Sequence, residues 1–256
     1  MTDPLADLPV WLINLDRSPD RLSRMDAGLR AQGLAYERLP AIDGKAEFDR
    51  LLPRVDRAAY ERNMGQTLLP GKVGCYFSHL AAWERLVDSG KPMALILEDD
   101  VVFHEDFREA LALALKAEAH WDLLRLNATR ARFPVSRGKA GPYAINAYYG
   151  RFTGNGAYLL KADTAARVAP RIQRMRWSFE HEIGRFFEHD YRLAGLEPFP
   201  SHVEDFGQSQ IVGLNNAKLT KPSFIHRLPH FARKIESYYH RGLHLYFSGK
   251  WPLPKD

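Results

Sequence analysis

A chain of 256 residues, 45% hydrophobic, 26% charged and 12% aromatic, has the composition of a globular protein and enough apolar material for one sizeable α/β domain or a domain with an appendage. Its single cysteine, Cys75, excludes an internal disulfide and a cysteine-based zinc site and fits a reducing compartment. The formal net charge of +5 favours anionic partners without choosing among nucleotide, nucleic acid and membrane, and no run approaches the roughly 18 apolar residues of a membrane span.

Residues 1–9 carry two aspartates and no Lys or Arg, unlike a secretion signal, so a cytoplasmic location is expected. Val10 to Leu15 reads as a first strand, and Ser18-Pro19 as the cap and first position of a helix. Leu22, Met25 and Leu29 recur along that helix at helical spacing, and Gly33 stops it. Ala35 to Leu39 is a second strand candidate before the Asp43-Gly44 turn, and 47–64 reads as helix and loop. A helix is expected from Gly74 to Asp88 with Tyr76, Leu80, Trp83 and Val87 as its apolar stripe, ended by Gly90-Lys91-Pro92. Met93 to Leu97 is a buried strand, Glu105 to Ala119 a helix, Trp121 to Leu126 a strand and Phe133 to Gly141 a loop. Strands follow over Tyr143–Tyr149 and Gly156–Leu160. Asp163 caps a helix ended by Pro170, and Glu180 to His189 is a further short helix. The alternation argues for a mixed α/β sheet in one domain with a helical tail.

The chemistry concentrates where the Met93–Leu97 run meets Glu98-Asp99-Asp100. Open α/β sheets place their ligand crevice at the C-terminal ends of strands. Three adjacent carboxylates repel one another, and a hard cation such as Mg²⁺ or Mn²⁺, which favours oxygen ligands, relieves that. In an extended chain Glu98 and Asp100 share one side. The alternative is a solvated acidic turn. Arg17 and Arg21 lie near a helix N-terminus, a position that attracts phosphate. His79 shares the apolar side of its helix with Tyr76 and Trp83, as a core histidine or, with Ser78, beneath a bound nucleotide. Glu180-His181-Glu182 and Glu204-Asp205 add carboxylates. There is no Walker-type phosphate loop, no zinc-protease helix and no serine elbow.

In order, Ile13-Asn14-Leu15-Asp16-Arg17-Ser18-Pro19-Asp20-Arg21, Ala41-Ile42-Asp43-Gly44, Gly74-Cys75-Tyr76-Phe77-Ser78-His79-Leu80, Leu95-Ile96-Leu97-Glu98-Asp99-Asp100-Val101, Thr153 to Leu160 and Gln208-Ser209-Gln210-Ile211 resemble glycosyltransferase family 25, the lipooligosaccharide β-galactosyltransferase family, over residues 9–212. The resemblance implies a GT-A-like fold: a mixed, mainly parallel sheet flanked by helices, with a transferase domain over 9–215 and a basic, aromatic helical extension over 216–256. It also implies a UDP-sugar donor, commonly UDP-galactose, a lipid-linked glycan acceptor, Mn²⁺ or Mg²⁺ as cofactor, and no nucleic-acid partner. By the same carry-over Asp100 is a metal ligand and catalytic, with Glu98 on the metal or the ribose. Asn14, Arg17, Asp43, Ser78, His79, Glu98 and Asp99 bind the donor. Glu180 is the base, with Glu182 the next candidate. Family members often have Asp at the position of Glu180, so this chain departs by one methylene.

From Lys218 onward eight basic residues face two acids. Phe224, Leu228, Phe231, Ile235, Tyr239, Leu243 and Phe247 interleave with them, as an amphipathic helix at an anionic membrane surface or a terminal helix packed on the core. Competing functions for the same acids are nucleotidyl or phosphoryl transfer and a degenerate, membrane-associated glycan-binding protein.

Overall fold

The computed structural model describes residues 3–204, 224–249 and 251, with residues 224–229 described as helical backbone only. Eight strands form the central sheet. In spatial order they are β2 (Glu37–Pro40), β1 (Val10–Asn14), β3 (Met93–Glu98), β10 (Ala157–Lys161), β5 (Leu123–Arg125), β11 (Leu193–Glu197), β8 (Tyr143–Tyr148) and β7 (Pro134–Ala140). The sheet is mixed. β1 runs parallel to β2 and β3, and β11 to β5, while β10 is antiparallel to both its neighbours and β8 to both of its own. Two small antiparallel pairs, β4 (Val101–Phe103) with β12 (Ser201–Val203) and β6 (Arg130–Ala131) with β9 (Phe152–Thr153), stand off this sheet.

Helices cover the sheet: α1 (Pro19–Ala31), α2 (Phe48–Leu51), α3 (Arg57–Met64), α4 (Pro70–Ser89), α5 (Phe107–Lys116), α6 (Ala162–Val168), α7 (Phe179–Ile183), α8 (Phe186–His189) and α9 (Phe224–Phe247). The strand most legible in the sequence, β3, sits between β1 and β10, and Ala94 to Leu97 have no exposed surface. A continuous apolar run is what a strand covered on both faces requires. This is the expected mixed α/β sheet flanked by helices, with a C-terminal helix.

Five local expectations are corrected. α4 begins at Pro70, four residues before Gly74, because proline is suited to a first helical position. Its inner face uses Leu86, while Val87 is 41% exposed. Residues 134–140 are not a loop but the edge strand β7. An edge tolerates its Pro, Gly and Lys because only one side of it pairs. The helix expected over 180–189 is two short helices, α7 and α8, separated at Gly184-Arg185. Asp163 lies inside α6 after Lys161, which occupies the cap position.

α9 packs against α3 and α8. His230 Nδ1 lies 2.7 Å from the Asn63 carbonyl, Arg137 donates to the Leu245 carbonyl at 2.6 Å, and Leu245 and Trp251 are buried. The expected domain boundary between 215 and 216 lies outside the described residues, as do Asp205, the Gln208–Ile211 block, Lys218 and Lys221. Among the described residues no helix is long and apolar enough to cross a membrane.

Candidate active site

The C-terminal ends of β1 and β3 open into a cleft of about 400 Å³ lined by Arg17, Arg21, Asp43, Ser78, His79 and all three acids of the Glu98–Asp100 triplet. β3 ends at Glu98, so Asp99 and Asp100 turn away from the extended chain and the simple alternation does not continue through them. Each acid consequently meets different partners.

Asp99 is a fastener. It accepts from Asn14 Nδ2 at 2.7 Å and from Arg21 at 2.8 Å, which ties the end of β3 to the end of β1 and to α1. Asn14 itself is buried, also donates to the Ser18 carbonyl and accepts from Arg38 Nε. It lies outside the cleft lining, and its side chain is engaged in these structural bonds. Ser78 is similarly occupied. Its hydroxyl donates to the Gly74 carbonyl and accepts from the Ile42 amide, both at 2.8 Å. That bond holds the 41–44 loop against α4. A Cβ on Gly44 would stand 1.9 Å from the Pro70 carbonyl oxygen, and one on Gly74 would stand 2.5 Å from the Ile42 oxygen. The two glycine motifs are therefore a single close backbone contact. Arg17 and Asp43 form an ion pair at the rim.

Glu98 and Asp100 differ in charge behaviour. His79 Nε2 lies 2.8 Å from Glu98 Oε1. Burial alone would raise the Glu98 pKa, but the hydrogen bond and charge of His79, with Lys72 and Arg21, outweigh it and hold this carboxyl below its ordinary value. Asp100 is pushed up to about 7, by burial first and then by the neighbouring Glu98 charge. Arg21 stands 3.6 Å away, and the buried Oδ1 of Asp100 has no hydrogen-bond partner among the described residues. An orphaned carboxylate oxygen beside a second carboxylate is a donor set that fits a hard divalent cation.

His79 is both things the sequence allows. It is buried in the core, stacked on Phe179 with ring centroids 4.5 Å apart, and it touches the acidic triplet. Trp83 Nε1 donates to the Tyr158 hydroxyl at 3.0 Å, which leaves that hydroxyl to donate to His79 Nδ1, also at 3.0 Å. The ring proton then sits on Nε2, facing Glu98; the tautomer is assigned from this chain of bonds. Among the described residues Cys75, His79 and Glu98 also bring three potential metal-binding atoms within 4.8 Å. Both His79 nitrogens are already engaged, and burial pushes the Cys75 thiol far up, so this trio is a packed contact rather than a metal centre.

Glu180 lies at a second cavity of about 150 Å³, between α7 and α9. The two sites adjoin through His79, which lines the first cleft. Phe179, the residue before Glu180, is the one stacked on His79. Glu182 is placed differently. It is buried, its carboxylate lies 3.1 Å from His189 Nε2, and it lines neither cavity.

Arg125 was not singled out by the sequence. Fully buried at the end of β5, it donates to the Phe152 carbonyl at 2.6 Å and to Asn155 Oδ1 at 3.1 Å, and it approaches the Glu180 carbonyl at 3.5 Å. Burial lowers its pKa to about 10. A lone arginine inside Leu123-Leu124-Arg125-Leu126 was the available signal. Lys45, Thr129 and Glu204 also line the first cleft.

Residues 7–180 match the family described as Glycosyltransferase family 25 (LPS biosynthesis protein). Among curated proteins, procollagen galactosyltransferase 1 of Danio rerio is 27% identical over 228 residues, covering 78% of this chain and 37% of that protein. The inactive glycosyltransferase 25 family member 3 of Homo sapiens is 35% identical over 125 residues, covering 46% of this chain and 21% of its own length. The chain thus spans well under half the length of these relatives. Among solved structures, A197 from STIV matches at 13% identity over 73% of this chain and 81% of that one, with a TM-score of 0.36, too low to bear on function.

Proposed function

The chain belongs to glycosyltransferase family 25, and we propose that it moves a hexose, galactose from UDP-galactose in the first instance, onto a glycan acceptor with inversion. The observation that carries this reading is the Asp100 carboxylate: half-buried at the sheet's C-terminal edge, with one oxygen unpartnered and Glu98 beside it.

In this reading the donor diphosphate enters the cleft between the 41–44 loop and the acids, with the Arg17 rim near it. Asp100 and Glu98 would hold Mn²⁺ or Mg²⁺, which supplies Lewis-acid neutralisation of charge on the departing diphosphate. Glu180 takes the proton from the acceptor hydroxyl as its oxygen bonds to the anomeric carbon and the bond to the diphosphate breaks. A positioned base of this kind contributes about 10²- to 10⁴-fold in rate. Glu182, already bonded to His189, is the weaker candidate for that role. Relatives named procollagen galactosyltransferase and a family description naming LPS biosynthesis leave two acceptor classes, a procollagen-like protein and a lipid-linked glycan. We favour the lipid-linked glycan.

The reason for that preference is α9. Its inner side packs on α3 and α8, while Phe231, Ile235, Tyr239, Leu243 and Phe247 are between 36 and 80% exposed at four-residue spacing. That apolar stripe suits contact with a membrane surface, while Arg233 and Lys234 of the same helix line the cavity beside Glu180. The side chains of Phe224 and Leu228 lie outside the described residues.

A thermal-shift panel of nucleotide sugars with and without Mn²⁺ tests the donor, and labelled UDP-galactose tests the reaction. Sugar transfer or slow donor hydrolysis supports this reading, whereas nucleotide incorporation supports the nucleotidyl-transfer alternative. Glu180→Gln should retain UDP binding and lose at least about 100-fold in transfer; near-normal turnover removes it from the mechanism. Flotation with anionic vesicles should fail for Ile235→Asp/Phe247→Asp, and equal flotation of this variant and the wild type would sink the membrane contact.

A further inference from the structure

The cavity that holds Glu180 is strongly cationic. Arg151, Arg185, Arg233, Lys234 and Arg241 line it against the single carboxylate of Glu180. Three of the five are partly answered: Arg185 by Glu188, Arg233 by Glu236, and Arg241 by the carbonyls of Gly150 and Gly184. Arg151 and Lys234 have no carboxylate partner among the described residues. The Nε of Arg241 is buried and unpartnered as well. Burial first, and then Arg151, Lys72 and His230, push His181 down to about 4 despite the adjacent Glu180. Trp177, with Arg185 stacked 4.4 Å from its ring centre, and Tyr238 supply aromatic walls. Aromatic surface beside charged donors is the surface that a sugar ring bearing an anionic group fits.

We propose that this cavity is the acceptor subsite and that it takes a saccharide carrying a phosphate or carboxylate group, the anion held by Arg151 and Lys234 and a hydroxyl of the same molecule turned to Glu180. The inference rests on the glycosyl-transfer reading and adds the chemical class of acceptor. A neutral acceptor leaves Arg151 and Lys234 without an anion to meet.

The test is calorimetric titration of the full chain with glucose 6-phosphate, glucuronate and glucose, in the presence and absence of saturating UDP and Mn²⁺. The anionic sugars should bind at least about tenfold more tightly than glucose, and UDP should not displace them. The phosphate and carboxylate arms show which anion is preferred. In Arg151→Gln/Lys234→Gln the margin over glucose should fall towards one, while Arg151→Lys, which keeps the charge, should retain most of it. A margin unchanged in the double variant, equal binding of glucose, or displacement by UDP would overturn the proposal. If UDP-sugars bind nowhere while the margin persists, the anion site stands and it is the transferase reading that falls.

Discussion

His79 Nε2 lies 2.8 Å from Glu98 Oε1, and the opposite nitrogen of the same ring lies 3.0 Å from the Tyr158 hydroxyl. One side of the imidazole is thus held by the core and the other holds an acid of the candidate metal site. Through its stacking on Phe179 the ring also supports the helix that carries Glu180. His79→Ala should weaken Mn²⁺-dependent UDP binding or turnover by about 10- to 100-fold, the usual cost of losing a group that orients a metal ligand. Tyr158→Phe should give a smaller loss in the same direction, because the ring remains but its tautomer is no longer fixed. Calorimetric titration of UDP with Mn²⁺ checks both, and wild-type affinity in both variants would make His79 a core residue only.

Asp100→Asn separates function from stability. With Oδ1 buried and unpartnered, the carboxylate contributes little to holding the fold together. Arg21 keeps its closer partner Asp99 at 2.8 Å when Asp100 loses its charge. The variant should unfold at a temperature equal to or above that of the metal-free wild type, while the gain in UDP affinity on adding Mn²⁺ falls at least about tenfold. A clear drop in melting temperature would show that Asp100 has a structural bond.

Gly44 and Gly74 should resist even a methyl group. Each added Cβ meets backbone atoms of the other segment, not the end of a flexible side chain, so relief requires the 41–44 loop to lift from α4. Gly74→Ala should cost about 1–3 kcal/mol and weaken UDP binding together. Urea unfolding and UDP titration of the same sample measure the pair of effects, and a neutral outcome in both would mean the loop moves freely.

Asp122 provides a pH test outside the cleft. It accepts from the Arg192 backbone amide at 2.8 Å and from its guanidinium at 2.6 and 3.1 Å, joining the start of β5 to the start of β11. Burial alone would raise its pKa, but Arg192 and Lys161 outweigh this and hold it below the ordinary carboxylate value. A depressed folded pKa means that its contribution is complete above the unfolded value, about 3.9, and is lost as the pH falls through the folded one. Asp122→Asn should therefore cost about 1–3 kcal/mol at pH 7, with the gap to wild type narrowing below about pH 4. Thermal unfolding at pH 7 and pH 3 checks the sign.

The sequence by itself determined what short-range pattern controls. The apolar run of β3, the Pro-opened start of α1, the Tyr76, Leu80 and Trp83 part of the α4 stripe and the acids at a strand's end all follow from neighbours a few positions apart. The edge strand β7 and the strand β11 escaped because their pairing partners, not their own composition, make them strands. The tertiary structure alone decided which polar residues are fasteners and which face the ligand. Asn14 meets Asp99 across 85 positions and Arg125 approaches Glu180 across 55, and the cationic cavity forms only when α9 returns to α7. Hydrogen bonds and charge pairs satisfy themselves with whatever the fold brings near, at distances along the chain that no local periodicity encodes.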